Sequence, residues 1–262
     1  MSVCLITGGS SGIGRETALC LVKRGWTVYE LSRRDATLPG TKHLRADVTD
    51  EEALRAAVES VVAAEERLDL VIHCAGFGIS GAVEFTDTAE AQKQFDVNFF
   101  GMVRLNRLVL PILRRQGRGR IVALSSVAAP VPIPFQTYYS ASKAAINAYT
   151  LALANEVRPY GVEVCAVQPG DIRTGFTAAR RKLHDGDEAY GGRISRSVAR
   201  MEHDEQNGMA PERAGAFIAR VATRRRVSPI VTIGGSYKLV CLLIRLLPTG
   251  LANRIIGLLY AK

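Results

Sequence analysis

The stretch TGGSSGIGRETALCLVKRG, residues 7–25, follows directly on an apolar run, Val3–Ile6, and its glycines decide the fold. Gly8, Gly12 and Gly14 fall where a strand would turn into a helix. A glycine turn of that kind lets backbone approach a pyrophosphate closely, while the helix N-terminus presents unpaired N–H groups and a partial positive charge. The loop therefore asks for an anion, and its strand–loop–helix setting points to a dinucleotide. Its spacing, GxxxGxG, differs from the GxGxxG of most dinucleotide folds. Glycines also serve plain turns, so the rest of the chain has to carry part of the argument.

Short apolar runs recur along the chain at Val3–Ile6, Thr27–Leu31, Leu68–His73, Arg120–Ser125, Val162–Gln168 and Ile230–Ile233, with helix-length segments between them. Runs that are continuously apolar belong to strands buried on both faces, which requires a parallel sheet covered by helices. The fold class is α/β, a doubly wound Rossmann-type sheet with right-handed crossovers. No repeat or Pro/Gly-rich linker divides the chain, so residues 1–262 read as one domain. Two regions break the rhythm. Residues 171–207 are polar and dotted with glycine, suiting a mobile lid. Residues 236–262 are apolar around nearly the whole helical circumference and interrupted at Pro248. Leu239–Leu247 is far shorter than the roughly 20 residues of a membrane span, so the tail is buried, self-associating or lying on a lipid surface.

The composition, 47% hydrophobic and 23% charged over 262 residues, is that of an ordinary globular chain. A net charge of +9 permits nucleic acid, an acidic membrane or a phosphorylated small molecule, and selects none. The basic runs Arg180–Lys182 and Arg224–Arg226 read as solvated faces, and no aromatic residues interleave to stack bases, so no nucleic-acid partner is expected. Cys4, Cys20, Cys74, Cys165 and Cys241 form no CxxC pair, which argues against a metal site or a disulfide framework and suits a reducing compartment. The apolar run starts too near Met1 to leave room for a signal peptide, so a cytoplasmic location is expected.

Chemistry enters at YYSASK, residues 138–143. Residues four apart share a helix face, which pairs Tyr139 with Lys143 and leaves Tyr138 above Ser142. A free tyrosine has a pKa of about 10 and is a poor base at neutral pH. An ammonium one helical turn away, with the positive nicotinamide of an oxidised cofactor, would favour phenolate.

The glycine loop and this Tyr-x-x-x-Lys spacing resemble the classical short-chain dehydrogenase/reductase family. Further motifs stand in the family's order: DVTD (47–50), CAG (74–76), VNFFG (97–101), SS (125–126), YSASK (139–143) and PGDIRT (169–174). The resemblance runs from Ser2 to about Ile233. One departure is His73-Cys74-Ala75-Gly76 in place of NNAG, where the family's asparagine ties neighbouring strands; His73 reads as a satisfied core histidine.

What the resemblance implies is a seven-stranded sheet and NAD(P)-dependent interconversion of alcohols and carbonyls. Tyr139 is then the proton donor or acceptor, Lys143 also holds the nicotinamide ribose, Ser126 hydrogen-bonds the substrate oxygen, and Asn98 kinks its helix and links the lysine to water. Ser125 points the other way. Cofactor contacts fall to Gly8, Ser10, Ser11, Gly12, Ile13 and Gly14 of the loop, with Asp47 and Val48 beside the adenine and Ala75 and Gly76 nearby. Pro169, Gly170, Ile172 and Thr174 close over the nicotinamide and pyrophosphate. At the end of the second strand the deciding position, Ser32, is uncharged and precedes Arg33 and Arg34. A guanidinium there can hold a 2′-phosphate bidentately, so NADP(H) is favoured over NAD(H), with Asp35 the candidate for NAD.

The segment SVAAPVPIPF, residues 126–135, with Val83 and Phe85, suggests a greasy cavity, and Tyr138 packs or walls it. These features look like the branch of the family that handles hydroxysteroids, retinol and acylglycerone phosphate, with a sugar or xenobiotic carbonyl as the alternative substrate. A non-catalytic NADP(H)-binding regulator is the alternative from another class, although such relatives lose the tyrosine or lysine. The resemblance also implies a homodimer or homotetramer built through the helix of Tyr139.

Overall fold

A computed structural model of the chain describes residues 1–35 and 38–261. The glycine loop joins β1 (Val3–Thr7) to α1 (Gly12–Val22), and β2 (Thr27–Ser32) returns beside β1 in parallel register, Val3 opposite Thr27. Then come β3 (Thr41–Arg45), α2 (Glu51–Glu65) and β4 (Leu70–His73), the last pairing with the other side of β1. The central sheet is completed by β6 (Gly119–Leu124), β7 (Val162–Gln168) and β9 (Ile230–Thr232), in the order β3-β2-β1-β4-β6-β7-β9. All its pairings are parallel.

Residues of β1 that alternate in direction enter two different cores. Val3 and Leu5 join a cluster with Leu54 and Val58 of α2 and with Leu105 and Leu113 of α4 (Gly101–Gln116). Cys4 and Ile6 join the opposite cluster, with Leu21 of α1 and Ile218 of α8 (Pro211–Ala222). The sheet is thus covered on both faces, as continuous apolar strands require. The strand order reverses between β1 and β4, and a crevice opens at their carboxyl ends.

Six of the seven strands coincide with the apolar runs. The seventh, β3, reads TKHLR and has no apolar run because it is an edge strand, half exposed along its length. The two segments outside the alternating pattern have structure of their own. Residues 171–207 hold α6 (Phe176–Ala179), β8 (Arg181–Lys182) and α7 (Arg193–Gln206). β8 pairs with β5 (Ile79–Ser80), and Ile194, Val198 and Met201 of α7 are buried against Phe135. The tail forms α9 (Gly235–Leu246) and α10 (Thr249–Tyr260), separated at Pro248, and α9 has no buried residue. Among the described residues no helix is long and apolar enough to cross a membrane.

Candidate active site

The glycine loop is built for close approach. Gly8 has φ +66°, and a Cβ there would lie 2.7 Å from the backbone nitrogen of Ala75 at the end of β4. A Cβ on Gly14 would collide with the carbonyl oxygen of Gly8, so only glycine lets the first turn of α1 sit down on the loop. Gly12, at φ +53°, faces Thr174, whose nearest atom would be 3.6 Å from such a Cβ. Ser11 at the N-cap makes no side-chain capping bond, which leaves the first-turn N–H groups free for an anion.

This cradle is one end of a cleft of about 790 Å³. Of the predicted site residues, Gly8, Ser10, Ser11, Gly12, Ile13, Gly14, Arg33, Arg34, Asp47 and Val48 line it at the loop end. Ala75, Gly76, Ser126, Tyr139, Lys143, Pro169, Gly170, Ile172 and Thr174 line the rest. The open glycine cradle and the uncapped helix end fit a dinucleotide pyrophosphate. Arg33 is exposed at the rim, 4.0 Å from Asp47, while Asp35 turns to Arg45 at 3.9 Å and does not line the cleft.

Asn98 alone of the predicted set stands behind the wall. It is buried in a π-helical turn, Asp96–Phe100, between α3 (Thr88–Phe95) and α4. Its Oδ1 accepts from the Phe77 N–H at 3.0 Å, and its Nδ2 donates to the Phe77 carbonyl at 3.0 Å and to Ser142 Oγ at 3.2 Å. Asn98 therefore fixes the backbone next to Gly76.

Tyr139 and Lys143 project from α5 (Thr137–Val157). Lys143 Nζ lies 5.5 Å from the centroid of the Tyr139 ring and donates to the Leu124 carbonyl at 2.7 Å. Burial lowers the lysine to about 8. Tyr139 is hydrogen-bonded to Ser126, yet burial outweighs that bond and raises the phenol to about 12. In the protein by itself desolvation wins and Tyr139 is a neutral phenol; the expected shift toward phenolate involves the positive nicotinamide of an oxidised cofactor as well as the ammonium. Its proton is available for donation. Ser125 and Ser126 both lie beyond the end of β6, so strand alternation does not turn them apart. Both line the cleft, but the Ser125 hydroxyl is spent on the Lys143 carbonyl at 3.2 Å.

The apolar wall differs in part from expectation. Val127, Ala128 and Ile133 line the cleft, joined by Phe176, Met201 and Tyr260. Val83 and Phe85 do not; they are half exposed, and Phe85 stacks edge-on against Tyr190 instead. Tyr138 is likewise absent from the lining. His73 is a core residue: its Nε2 meets Asn106 Oδ1 at 2.9 Å, and burial lowers it to about 4.

Sequence reasoning missed the polar neighbours of Tyr139. Arg180 is no solvated residue: its side chain is fully buried and ion-paired with Glu205, which also lines the cleft and accepts from Thr177. Arg181 pairs with Glu90 at 2.5 Å and Lys182 with Glu202. Phe176 packs 5.6 Å from the Tyr139 ring. Tyr237 of α9 covers Gly170 and hydrogen-bonds the Asp171 carboxylate. Nothing in the local sequence marks these contacts.

Comparison with known proteins agrees with this geometry. The family model described as short chain dehydrogenase matches residues 2–185. A 3-ketodihydrosphingosine reductase from Bacteroides thetaiotaomicron is 40% identical over 240 residues, 88% of this chain and 89% of that protein. Dehydrogenase/reductase SDR family member 7B of Xenopus tropicalis is 31% identical over 247 residues, 88% of this chain and 77% of that one. The crystal structure of a short-chain dehydrogenase from Streptomyces avermitilis superposes with a TM-score of 0.84 at 30% identity, covering 94% of this chain and 92% of the other. A cradle for a dinucleotide opposite a buried tyrosine–lysine pair, on a sheet that this family shares, leaves one assignment: the chain belongs to the short-chain dehydrogenases/reductases, NAD(P)-binding oxidoreductases that act on CH–OH and ketone groups.

Proposed function

We propose that the protein is an NADP(H)-dependent reductase of a long-chain, lipid-like ketone, with Tyr139 as proton donor. The observation that carries the reading is the Tyr139 hydroxyl, hydrogen-bonded to Ser126 and kept neutral by burial, in the same cleft as the glycine cradle. NADPH bound along the loop would supply the hydride. Tyr139 gives its proton to the ketone oxygen, and Ser126 donates a hydrogen bond to that oxygen where negative charge develops. Lys143, fixed by the Leu124 carbonyl, supplies positive charge beneath the phenol and shares with Asn98 the backbone around Gly76. Phe176, Ile133 and Met201 shield the reacting end from water.

Two observations favour a lipid-like ketone: the apolar far wall of the cleft, and the 40% identity to a 3-ketodihydrosphingosine reductase. Arg33 and Arg34 at the rim favour the 2′-phosphate of NADP(H). We take residues 1–262 as one domain in which residues 171–207 act as a lid. The oligomer is built through α5, which leaves Leu151 exposed, and the five free thiols suit the cytoplasm.

The test is NADPH absorbance with long-chain 3-keto amino alcohols against a short ketone. Oxidation of NADPH with the long-chain compounds supports the reading. Binding of NADPH without turnover of any ketone would instead make the protein a regulator.

A further inference from the structure

The two C-terminal helices carry apolar residues at helical spacing on the side that faces away from the protein. On α9 these are Leu239, Leu242, Leu243 and Leu246, the last 72% exposed. Leu251, Ile255, Leu258 and Leu259 form the same pattern on α10, on a face turned roughly a quarter of a turn from Ala252 and Ile256, which are buried. Each set repeats at three and four residues and so makes one continuous stripe. Scattered exposed leucines need no explanation, but two periodic stripes on adjoining helices do.

The charges on this element select the partner. Between Gly234 and Ala261 there are Lys238, Arg245 and Arg254, and no Asp or Glu. A second copy seated on the stripes through a two-fold contact would bring like charges together with no acid on either helix to pair them. A bilayer with anionic head groups offers both an apolar layer and the opposite charge. The helices are 12 residues each, long enough to lie in an interface and too short to cross it.

The element also adjoins the cleft. Tyr237 covers Gly170 from α9, and Tyr260 of α10 is part of the cleft wall. We infer that α9 and α10 form an interfacial platform that docks the protein on an anionic lipid surface and sets the mouth of the cleft at the membrane boundary. The docking itself does not depend on which ketone is reduced.

The experiment is co-sedimentation of the full chain with phosphatidylcholine vesicles, with and without 30% phosphatidylglycerol, at low and high salt. Each basic residue near an acidic surface adds roughly fivefold to partition, so the anionic vesicles should bind roughly a hundredfold better at low salt and lose much of that advantage at high salt. Leu242→Glu with Leu258→Glu should lower binding at least about tenfold, with the far-UV spectrum and unfolding midpoint showing the variant folded. Wild-type protein left in the supernatant with anionic vesicles at low salt would overturn the inference. So would sedimentation velocity showing that the double variant turns an oligomer into a monomer, because a second copy would then cover the stripes. Pelleting needs no turnover, so its failure is separable from failure of the proposed reaction.

Discussion

The proposed preference for NADP(H) rests on Arg33. Its guanidinium is exposed at the rim and held only loosely by Asp47 at 4.0 Å, so it can turn to a phosphate without breaking a buried pair. Arg33→Ala should weaken NADPH by roughly tenfold or more and NADH by little, measured as Kd by fluorescence titration. Equal weakening of both would remove the phosphate assignment. Lys143 makes a second prediction. Its amine is lowered to about 8 by burial, so the ammonium is present below that pH and lost above it. Because Tyr139 stays protonated up to about 12, the phenol should not limit reduction in this range. The kcat/KM for ketone reduction should therefore hold below about pH 8 and fall above it. In the residual activity of Lys143→Arg, whose guanidinium remains charged, that limb should disappear.

Elements set the precision of the cradle. The turn from β1 into α1 works because Gly14 rests on the Gly8 carbonyl, with no room for a methyl group between them. Gly14→Ala should cost about 1–3 kcal/mol in urea unfolding and lower NADPH affinity more than tenfold, since α1 must move off the loop. These local devices were legible in the sequence because glycine spacing and a four-residue helical repeat are written within a few positions. The β3 strand was not, because an edge strand needs only one covered face and shows no apolar run. Nor was the buried pair of Arg180 and Glu205, whose partners lie 25 residues apart and come together only when α7 packs beside α6. A basic run in isolation looks solvated. Burial of one of its members depends on tertiary placement.

The whole molecule joins three parts made by different stretches of chain: the cradle at the sheet's switch point, the tyrosine on α5, and a roof from residues 171–207 and the tail. The first two were readable as motifs. The roof was legible only as a departure from the alternating pattern, and its contacts, Phe176 on Tyr139 and Tyr237 on Gly170, had no sequence signature. Of the chain's basic residues, Lys238, Arg245 and Arg254 stand on α9 and α10, where there is no Asp or Glu. The account stands on Tyr139 as the group that gives the proton. The most direct measurement compares Tyr139→Phe with wild type, turnover by NADPH absorbance and NADPH Kd by calorimetry on the same preparations. The account predicts at least a roughly thousandfold loss of kcat with Kd within about twofold. Turnover within about tenfold of wild type would contradict it.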